Sequence, residues 1–336
     1  MNSQIKSGKR KPFIDIAKGI GIYIIVLVHF TTGESLLRQY LLSFCVPLFF
    51  FISGILFSYK REFKEFVINI IHKIGIPFLI YGIIDAFFTL FRLIVIENEK
   101  LNFIILAKII GKVLFISGCA NSNGPLWYLP VLIWIQLIMY YPARSKNKWI
   151  PAIIGVIMFI TGYFIHFKGP FRIGQVPSAL VFFIIGFYLK PIIIKINENS
   201  LKYIAFPLLT LLFFISCNYN GFSEMAAMNY GNNYFLYYVT AISSTISILS
   251  IGMILKKSKL LEFLGSNSLT IMCTHYHFAR FIIPWILQAI NKEYILEQII
   301  VQIVFSVLLT GFVSLLSIII NKKAPILTGA YNTNHY

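Results

Sequence analysis

Long apolar runs with few charges recur along the chain, and they constrain its fold more than any other feature. A helix needs about 20 mostly apolar residues to cross a bilayer, within a range of roughly 17–25. Hydrophobic residues make up 58% of the 336 and charged residues 12%, so a soluble core could not bury this surface. We therefore predict an all-α polytopic membrane protein that forms a single membrane domain over residues 1–336. The ten predicted spans are 12–31, 39–58, 70–95, 126–142, 150–167, 176–190, 202–217, 234–255, 266–288 and 296–320.

Basic residues are distributed unevenly between the predicted loops. With ten spans and a cytoplasmic N-terminus, inner segments hold 19 of the 29 lysines and arginines, outer segments hold 7, and three lie within spans. Multi-pass proteins commonly carry this excess of positive charge on the cytoplasmic side. The bias explains the net charge of +17 without nucleic acid as a partner, and it predicts that both termini are cytoplasmic.

The apolar stretch 101–118 is predicted not to cross the bilayer. Lys108 and Lys112 lie four residues apart, so they fall on one side of a helix, and the segment is predicted to be amphipathic and interfacial. Counting it as a span would place the basic loop 144–148 outside and would reverse every later loop.

Other sequence features exclude several classes. The basic start Lys9–Lys11 before an apolar run is similar to a signal peptide, but Lys18 interrupts the run and more spans follow, so we expect an uncleaved first helix. The absence of an internal repeat weakens the case for a secondary transporter. The cysteines have no metal-like spacing, so we expect small core residues and no metal. They are Cys45, Cys119, Cys217 and Cys273.

The first span carries three ionisable side chains, those of Asp15, Lys18 and His29. Lys18 and His29 are eleven residues apart, which is about three helical turns, so they share a face with their Cα atoms roughly 16 Å apart. Ionisable groups inside a membrane face other helices or a cavity. We interpret the two as opposite ends of one site. The alternative is an i, i+3 ion pair of Asp15 with Lys18 at the membrane edge and a hydrogen-bonded His29 at the helix end.

Ser266, Asn267 and Ser268 open the ninth predicted span and can supply cap oxygens. A helix N-terminus on the cytoplasmic side attracts anions through its N–H groups and dipole. His275 then lies some two turns into the membrane. His277 is about 200° further round the helix, so only one of the two histidines can face a cavity, and we favour His275.

Three further charged residues and an aromatic pair lie in or near predicted spans. Asp85 and Arg92 are seven residues apart, about two turns, and we interpret them as an ion-pair lock between helices. Arg280 is a further intramembrane cation. Trp127 and Tyr128 begin the fourth span, where such a pair is typical of a membrane-interface belt.

Four short patterns, in this order, resemble one family. They are Lys18 with His29 after ten intervening residues, PLFFFISG at 47–54, GPLWYLP at 124–130, and FLGSNS at 263–268 with His275. Together they resemble the membrane acyltransferase-3 superfamily, and within it the fucose-4-O-acetylase-like branch. The resemblance extends from about Asp15 to the end of the last span.

This resemblance implies a ten-helix domain in a bacterial cytoplasmic membrane. Such a domain would move an acyl group, usually acetyl from cytoplasmic acetyl-CoA, to a hydroxyl of a surface polysaccharide or lipid-linked saccharide. The family's basic residue and histidine correspond to Lys18 and His29. Many members have arginine at the first position, whereas Lys18 offers only a point charge to an anionic donor.

The residues and the resemblance together predict a site with three parts. We expect His29 and His275 to be catalytic, since a neutral imidazole can accept the proton of a sugar hydroxyl. His29 could instead carry the acyl group covalently. The expected donor-binding residues are Lys18, Ser266, Asn267 and Ser268. The expected acceptor-binding residues are Asp15, Trp127, Tyr128 and Arg280.

Two other functions use the same residues. In a transporter or flippase for lipid-linked glycans or small anions, the buried lysine and histidine would relay protons or bind the anion. In a scaffold subunit of a polysaccharide-assembly complex, His29 would be dispensable for acylation.

Overall fold

Helices form the regular secondary structure in the part of the chain that the computed structural model describes. That part comprises residues 11–31, 35–96, 98–100, 102–119, 124–290 and 299–329. The α-helices are α1 (Pro12–Val28), α2 (Leu36–Leu42), α3 (Cys45–Leu56), α4 (Phe63–Ile70), α5 (Ile76–Phe91), α6 (Phe103–Gly111), α7 (Tyr128–Arg144), α8 (Trp149–Phe164), α9 (Val176–Glu198), α10 (Leu201–Asn220), α11 (Tyr234–Leu255), α12 (Lys259–Ser266), α13 (Ser268–Ile290) and α14 (Ile299–Lys323). The predicted all-helical class is confirmed for these residues.

Seven helical segments of the described chain are long and apolar enough to cross a membrane, which makes it a multi-pass membrane protein. They are Leu36–Leu56, Phe63–Val95, Pro125–Arg144, Pro170–Glu198, Leu201–Asn220, Tyr234–Leu255 and Ile299–Lys323. The other predicted spans coincide with α1, with the shorter apolar helix α8, and with α13. The first residues of the last predicted span lie outside the described chain. The count of ten and the cytoplasmic termini stay predictions.

The segment predicted to be interfacial forms a short helix. Helix α6 continues as a π-helix over Lys112–Ser117 and ends at Gly118, whose φ of 73° is left-handed. From 103 to 117 the helical rise is about 22 Å, less than the ~30 Å hydrocarbon core. Lys108 and Lys112 are exposed, while Ile109 and Val113 are buried. This segment is not among the seven spanning candidates, and its interfacial position stays a prediction.

Helices α1 and α12 approach each other through two glycines. A Cβ on Gly19 would overlap the carbonyl oxygen of Leu261, and one on Gly265 would overlap that of Asp15. Small residues allow such backbone contact between helices in membranes. The first turns of α1 therefore lie directly against the junction of α12 and α13.

Helix α14 turns a row of polar side chains inward. Gln302, Ser306, Thr310 and Ser317 are buried. The hydroxyl groups of Ser306 and Tyr23 of α1 are 3.2 Å apart, so α14 is hydrogen-bonded to the helix that carries His29. Such interhelical bonds between polar side chains help to hold membrane helices together.

Candidate active site

The two histidines predicted to be catalytic meet in the interior of the bundle. His29 follows the last residue of α1, and His275 lies on α13. Their ring centroids are 5.0 Å apart, with an interplanar angle of 46°. The ring of Tyr276 approaches His29 to 5.1 Å from the same helix.

The hydrogen bond of His275 fixes the position of its proton. Nδ1 lies 2.9 Å from the carbonyl oxygen of Ile271, which can only accept, so Nδ1 carries the hydrogen. In the neutral ring Nε2 then holds a lone pair. That atom is buried and has no hydrogen-bond partner among the described residues. An orphaned polar atom of this kind calls for an explanation, and a basic role in catalysis is one.

His29 opens onto a cavity of about 80 Å³. Its lining includes the polar or amphipathic side chains of His29, Arg38, Trp127, Tyr128 and Glu224. The remaining lining residues are Ile25, Val28, Leu42, Cys45, Val46, Phe49, Pro125, Ala226 and Met272. Pockets of this type, mostly apolar with a few convergent polar groups, are where substrates bind.

Two of the short sequence patterns form one wall of this cavity. The ring of Tyr128 packs 4.6 Å from that of Phe50, and its hydroxyl is 3.2 Å from the hydroxyl of Ser53. Trp127 lies 6.3 Å from Phe50. An aromatic belt at the membrane surface would be exposed, whereas the Trp127 side chain is buried. The structure therefore favours a position of Trp127 in the cavity wall over a position in a membrane-interface belt.

Arg38 and Glu224 line the cavity, although neither was selected from the sequence. Arg38 precedes the second predicted span, and Glu224 lies in the connection 221–233 between α10 and α11, which we call the roof loop. Arg38 Nη2 and Glu224 Oε2 are 3.9 Å apart. No local pattern links residues so distant in the chain, and charged residues in loops are common.

The roof loop has a second anchor. The carbonyl oxygen of Ala226 accepts a hydrogen bond of 3.4 Å from Nη1 of Arg172, a fully buried arginine. Within the loop, Glu224 and Asn229 exchange backbone bonds of 2.7 and 3.1 Å. Both cavity-lining residues of this loop are thus held by arginines from other segments.

The residues predicted to bind the donor lie at the other end of α1. Lys18 is half-buried, one residue before the contact of Gly19 with α12. Ser266, Asn267 and Ser268 form the α12–α13 junction, against the first turns of α1. The structure therefore brings these four residues to one region.

The expected capping role of the junction side chains needs a correction. A separate helix, α12, ends here, and the amide of Asn267 and the hydroxyl of Ser266 donate to the carbonyl oxygen of Phe263, at 2.8 and 2.9 Å. Asn267 Oδ1 accepts from Asn321 of α14 at 2.6 Å. These two side chains therefore bind the end of α12, where the backbone amide of Asn267 also donates to the Phe263 carbonyl at 3.1 Å.

Asp85 contacts a histidine of another helix, and its expected ion pair with Arg92 stays a prediction. Its carboxylate is 3.3 Å from Nδ1 of His277, and both side chains are buried. Phe88 stacks on the His277 ring at 5.6 Å. His277 is thus engaged between α5 and α13, whereas His275 meets His29.

Two residues predicted to bind the acceptor lie elsewhere. Asp15 is fourteen residues before His29, which is about 21 Å along a helix. Arg280 is half-buried on α13 and does not line the cavity. The rise of α1 separates the first from the aromatic wall, so Trp127 and Tyr128 are the expected acceptor residues that the structure places beside His29.

Other catalytic chemistries have little support among the described side chains. No set of three or more His, Cys, Asp or Glu residues there could hold a metal ion. All four cysteines are buried and free. Burial raises the pKa of the Cys119 thiol, in the connection before α7, so this thiol stays protonated at neutral pH.

Of three comparisons with known proteins, one gives a match. A family model described as an acyltransferase domain matches residues 11–322, from the start of α1 almost to the end of α14. No curated protein and no solved structure matches the chain.

Proposed function

Because the chain belongs to the acyltransferase-3 family, we propose that it is a membrane O-acyltransferase that moves acetyl from cytoplasmic acetyl-CoA to a hydroxyl of a surface polysaccharide or lipid-linked sugar. The observation that carries this proposal is the contact of His275 with His29, which lines a cavity with an aromatic wall. A site for acyl transfer to an alcohol needs a base, a surface for the acceptor and access for the donor, and this bundle offers a candidate for each.

The histidine pair supplies the base. His29 lines the cavity and takes the hydroxyl proton as the hydroxyl oxygen bonds to the acyl carbon. The C–S bond of the thioester breaks, and the proton passes to the departing thiolate. His275 contacts the ring of His29, and its Nδ1–H bond to the Ile271 carbonyl leaves the lone pair on Nε2. His275 can therefore share or relay this proton. A positioned base contributes typically about 10²–10⁴-fold to such a reaction.

The acceptor side of the cavity suits a polyhydroxylated molecule. Trp127 and Tyr128 present aromatic surface, against which the C–H faces of a sugar ring pack. Arg38 and Glu224 add hydrogen-bond donors and acceptors at the same cavity, and their opposite charges balance. A neutral saccharide fits this lining better than a strongly charged one.

The donor side lies at the beginning of α1. A cation at Lys18 attracts the phosphates of CoA as a point charge. The acyl group must then travel roughly 16 Å along α1 to reach His29. The long pantetheine arm of CoA can bridge such a gap, which supports acetyl-CoA over a compact donor.

The test uses membrane vesicles that contain the full chain, acetyl-CoA labelled in the acetyl group, and a lipid-linked or surface glycan. The proposal predicts labelled ester on the glycan, lost with His29→Ala and kept with His166→Ala, which removes an exposed histidine. Movement of the glycan across the vesicle without new ester would identify a transporter. Ester formation that survives His29→Ala at equal protein levels would identify a scaffold role.

A further inference from the structure

The position of His29 depends on what holds the C-terminal end of α1. In the last turn, the amides of His29 and Phe30 donate to the carbonyl oxygens of Val26 and Leu27, at 3.2 and 2.9 Å. This pattern tightens the helix end. The amide of Thr31 donates in the same way to the carbonyl oxygen of Val28, at 3.2 Å. Carbonyls at and just after the end of a helix can bind side chains as well.

Arg38 binds those carbonyls. Its Nη1 donates to the carbonyl oxygens of Val28 and Thr31, at 3.2 and 2.9 Å. The Thr31 hydroxyl adds a bond of 2.7 Å to Val28. A cation at a helix C-terminus is favourable, and the planar guanidinium keeps several donors in fixed directions. The residues on both sides of His29 are therefore tied to one side chain.

The other guanidinium nitrogen faces the roof loop. Nη2 is 3.9 Å from Glu224 Oε2, and the two side chains are 23% and 26% exposed. Since both residues line the cavity, Arg38 connects the helix end that carries His29 to the segment that covers the acceptor side.

We propose that Arg38 is a positioning residue that orients His29 toward the acceptor hydroxyl. In this proposal, Glu224 fixes the position of the roof loop relative to Arg38. The consequence for catalysis rests on the proposed acyl transfer. The geometric role, a guanidinium that fixes the end of α1 beside His29, does not.

The chain contains a matched control for this arrangement. Arg144 also donates to loop carbonyls, those of Tyr59 and Arg61 at 3.3 and 2.9 Å, and lies 3.9 Å from Glu62. It ends α7, which begins at the cavity, so it lies about 24 Å away along that helix. Arg144→Ala removes the same chemistry without touching the histidine.

The first measurement compares kcat and KM for Arg38→Ala, Arg38→Lys and Arg144→Ala in vesicles at equal protein levels. Misplacing a catalytic group by about 1 Å can cost 10²-fold, so Arg38→Ala should lower kcat by about that factor with little change in donor KM. Arg38→Lys should recover part of the loss, and Glu224→Gln should raise acceptor KM more than it lowers kcat. A loss of kcat in Arg38→Ala no larger than in Arg144→Ala would overturn the proposal.

The second measurement works even if no acyl transfer is detected. Diethyl pyrocarbonate modifies accessible imidazoles, and mass spectrometry of the peptide with His29 gives the rate. Release of the α1 end and of the roof loop should raise this rate at least about threefold in Arg38→Ala, with no change in Arg144→Ala. Equal rates in wild type and Arg38→Ala would refute the positioning role, whatever reaction the protein catalyses.

Discussion

At the scale of single side chains, the proposed mechanism gives His29 two actions that substitution can separate. The imidazole would orient the acceptor hydroxyl by a hydrogen bond, and it would accept the proton. Glutamine keeps a neutral hydrogen-bonding group but cannot take a proton at neutral pH. We expect His29→Gln and His29→Ala to lower turnover alike, by roughly 10²-fold or more, in a vesicle assay with labelled acetyl-CoA. Near-normal ester in His29→Gln, with His166→Gln as the control, would move the base to His275.

The fixed tautomer of His275 allows a similar separation. Asparagine has an amide nitrogen near the position of Nδ1, so His275→Asn keeps a donor for the carbonyl of Ile271 but loses the Nε2 lone pair. We expect turnover to fall while the melting temperature in detergent stays close to that of the wild type. A drop in melting temperature with unchanged turnover would mean that His275 only packs the core.

Lys18 should act on donor binding and not on turnover. Lys18→Ala is expected to raise KM for acetyl-CoA more than it lowers kcat, because the work proposed for its positive charge is to attract the donor's phosphates. Lys18→Arg should keep substantial activity. The matched control is Lys257→Ala, which removes an exposed lysine. Unchanged donor dependence in Lys18→Ala would assign the charge to structure, as in the ion pair with Asp15.

The sequence could predict part of this site for a physical reason. Ionisable groups inside apolar helices must turn inward, so Lys18 and His29 were recognisable from spacing alone. The contacts of Arg38 and Glu224 were not, because they join the short helix α2 to a loop that is distant in the sequence. The aromatic pair at 127–128 was ambiguous for a related reason, since a cavity wall and a membrane belt use the same residue types.

At the scale of elements, the close contact of α1 with α12 depends on glycine. Gly265→Ala places a Cβ against the backbone of Asp15, which cannot move easily, and overpacking of this kind costs about 1–3 kcal/mol. In Gly311→Ala on α14 nothing lies within 4 Å of the new Cβ, and alanine favours the helix by up to roughly 1 kcal/mol. Melting curves in detergent should therefore shift in opposite directions. Equal shifts would contradict the packing of α1 on α12.

Helix α12, like most of α4, lies outside the spans predicted from the sequence. It has eight residues, with Lys259 and Glu262 among them, so a search for long apolar runs passes over it. Two hydrogen bonds mark the start of α12 in the structure. Ser258 accepts a bond from the amide of Leu261, while Glu262 accepts one from the amide of Ser258, a reciprocal cap at the helix start.

At the scale of the whole molecule, the charge distribution predicts its orientation. Reporter fusions should place the 144–148 loop in the cytoplasm and the roof loop outside. The reason is that basic residues concentrate in the loops predicted to be cytoplasmic. The segment 101–118 should not cross the bilayer, so reporters placed before and after it should give the same side of the membrane. An outward signal from 144–148 would reverse the second half of the topology.

The roof loop and the α12–α13 junction lie at opposite ends of α1, and this separation has an evolutionary consequence. Under the proposed function, mutations in the roof loop can alter which glycan is accepted without changing how the donor binds, so the two specificities are free to diversify at different rates. A chimera that carries the roof loop of another family member should then acylate that member's glycan from the same thioester pool. In that proposal, the length of α1 between Lys18 and His29 is what keeps the two specificities independent.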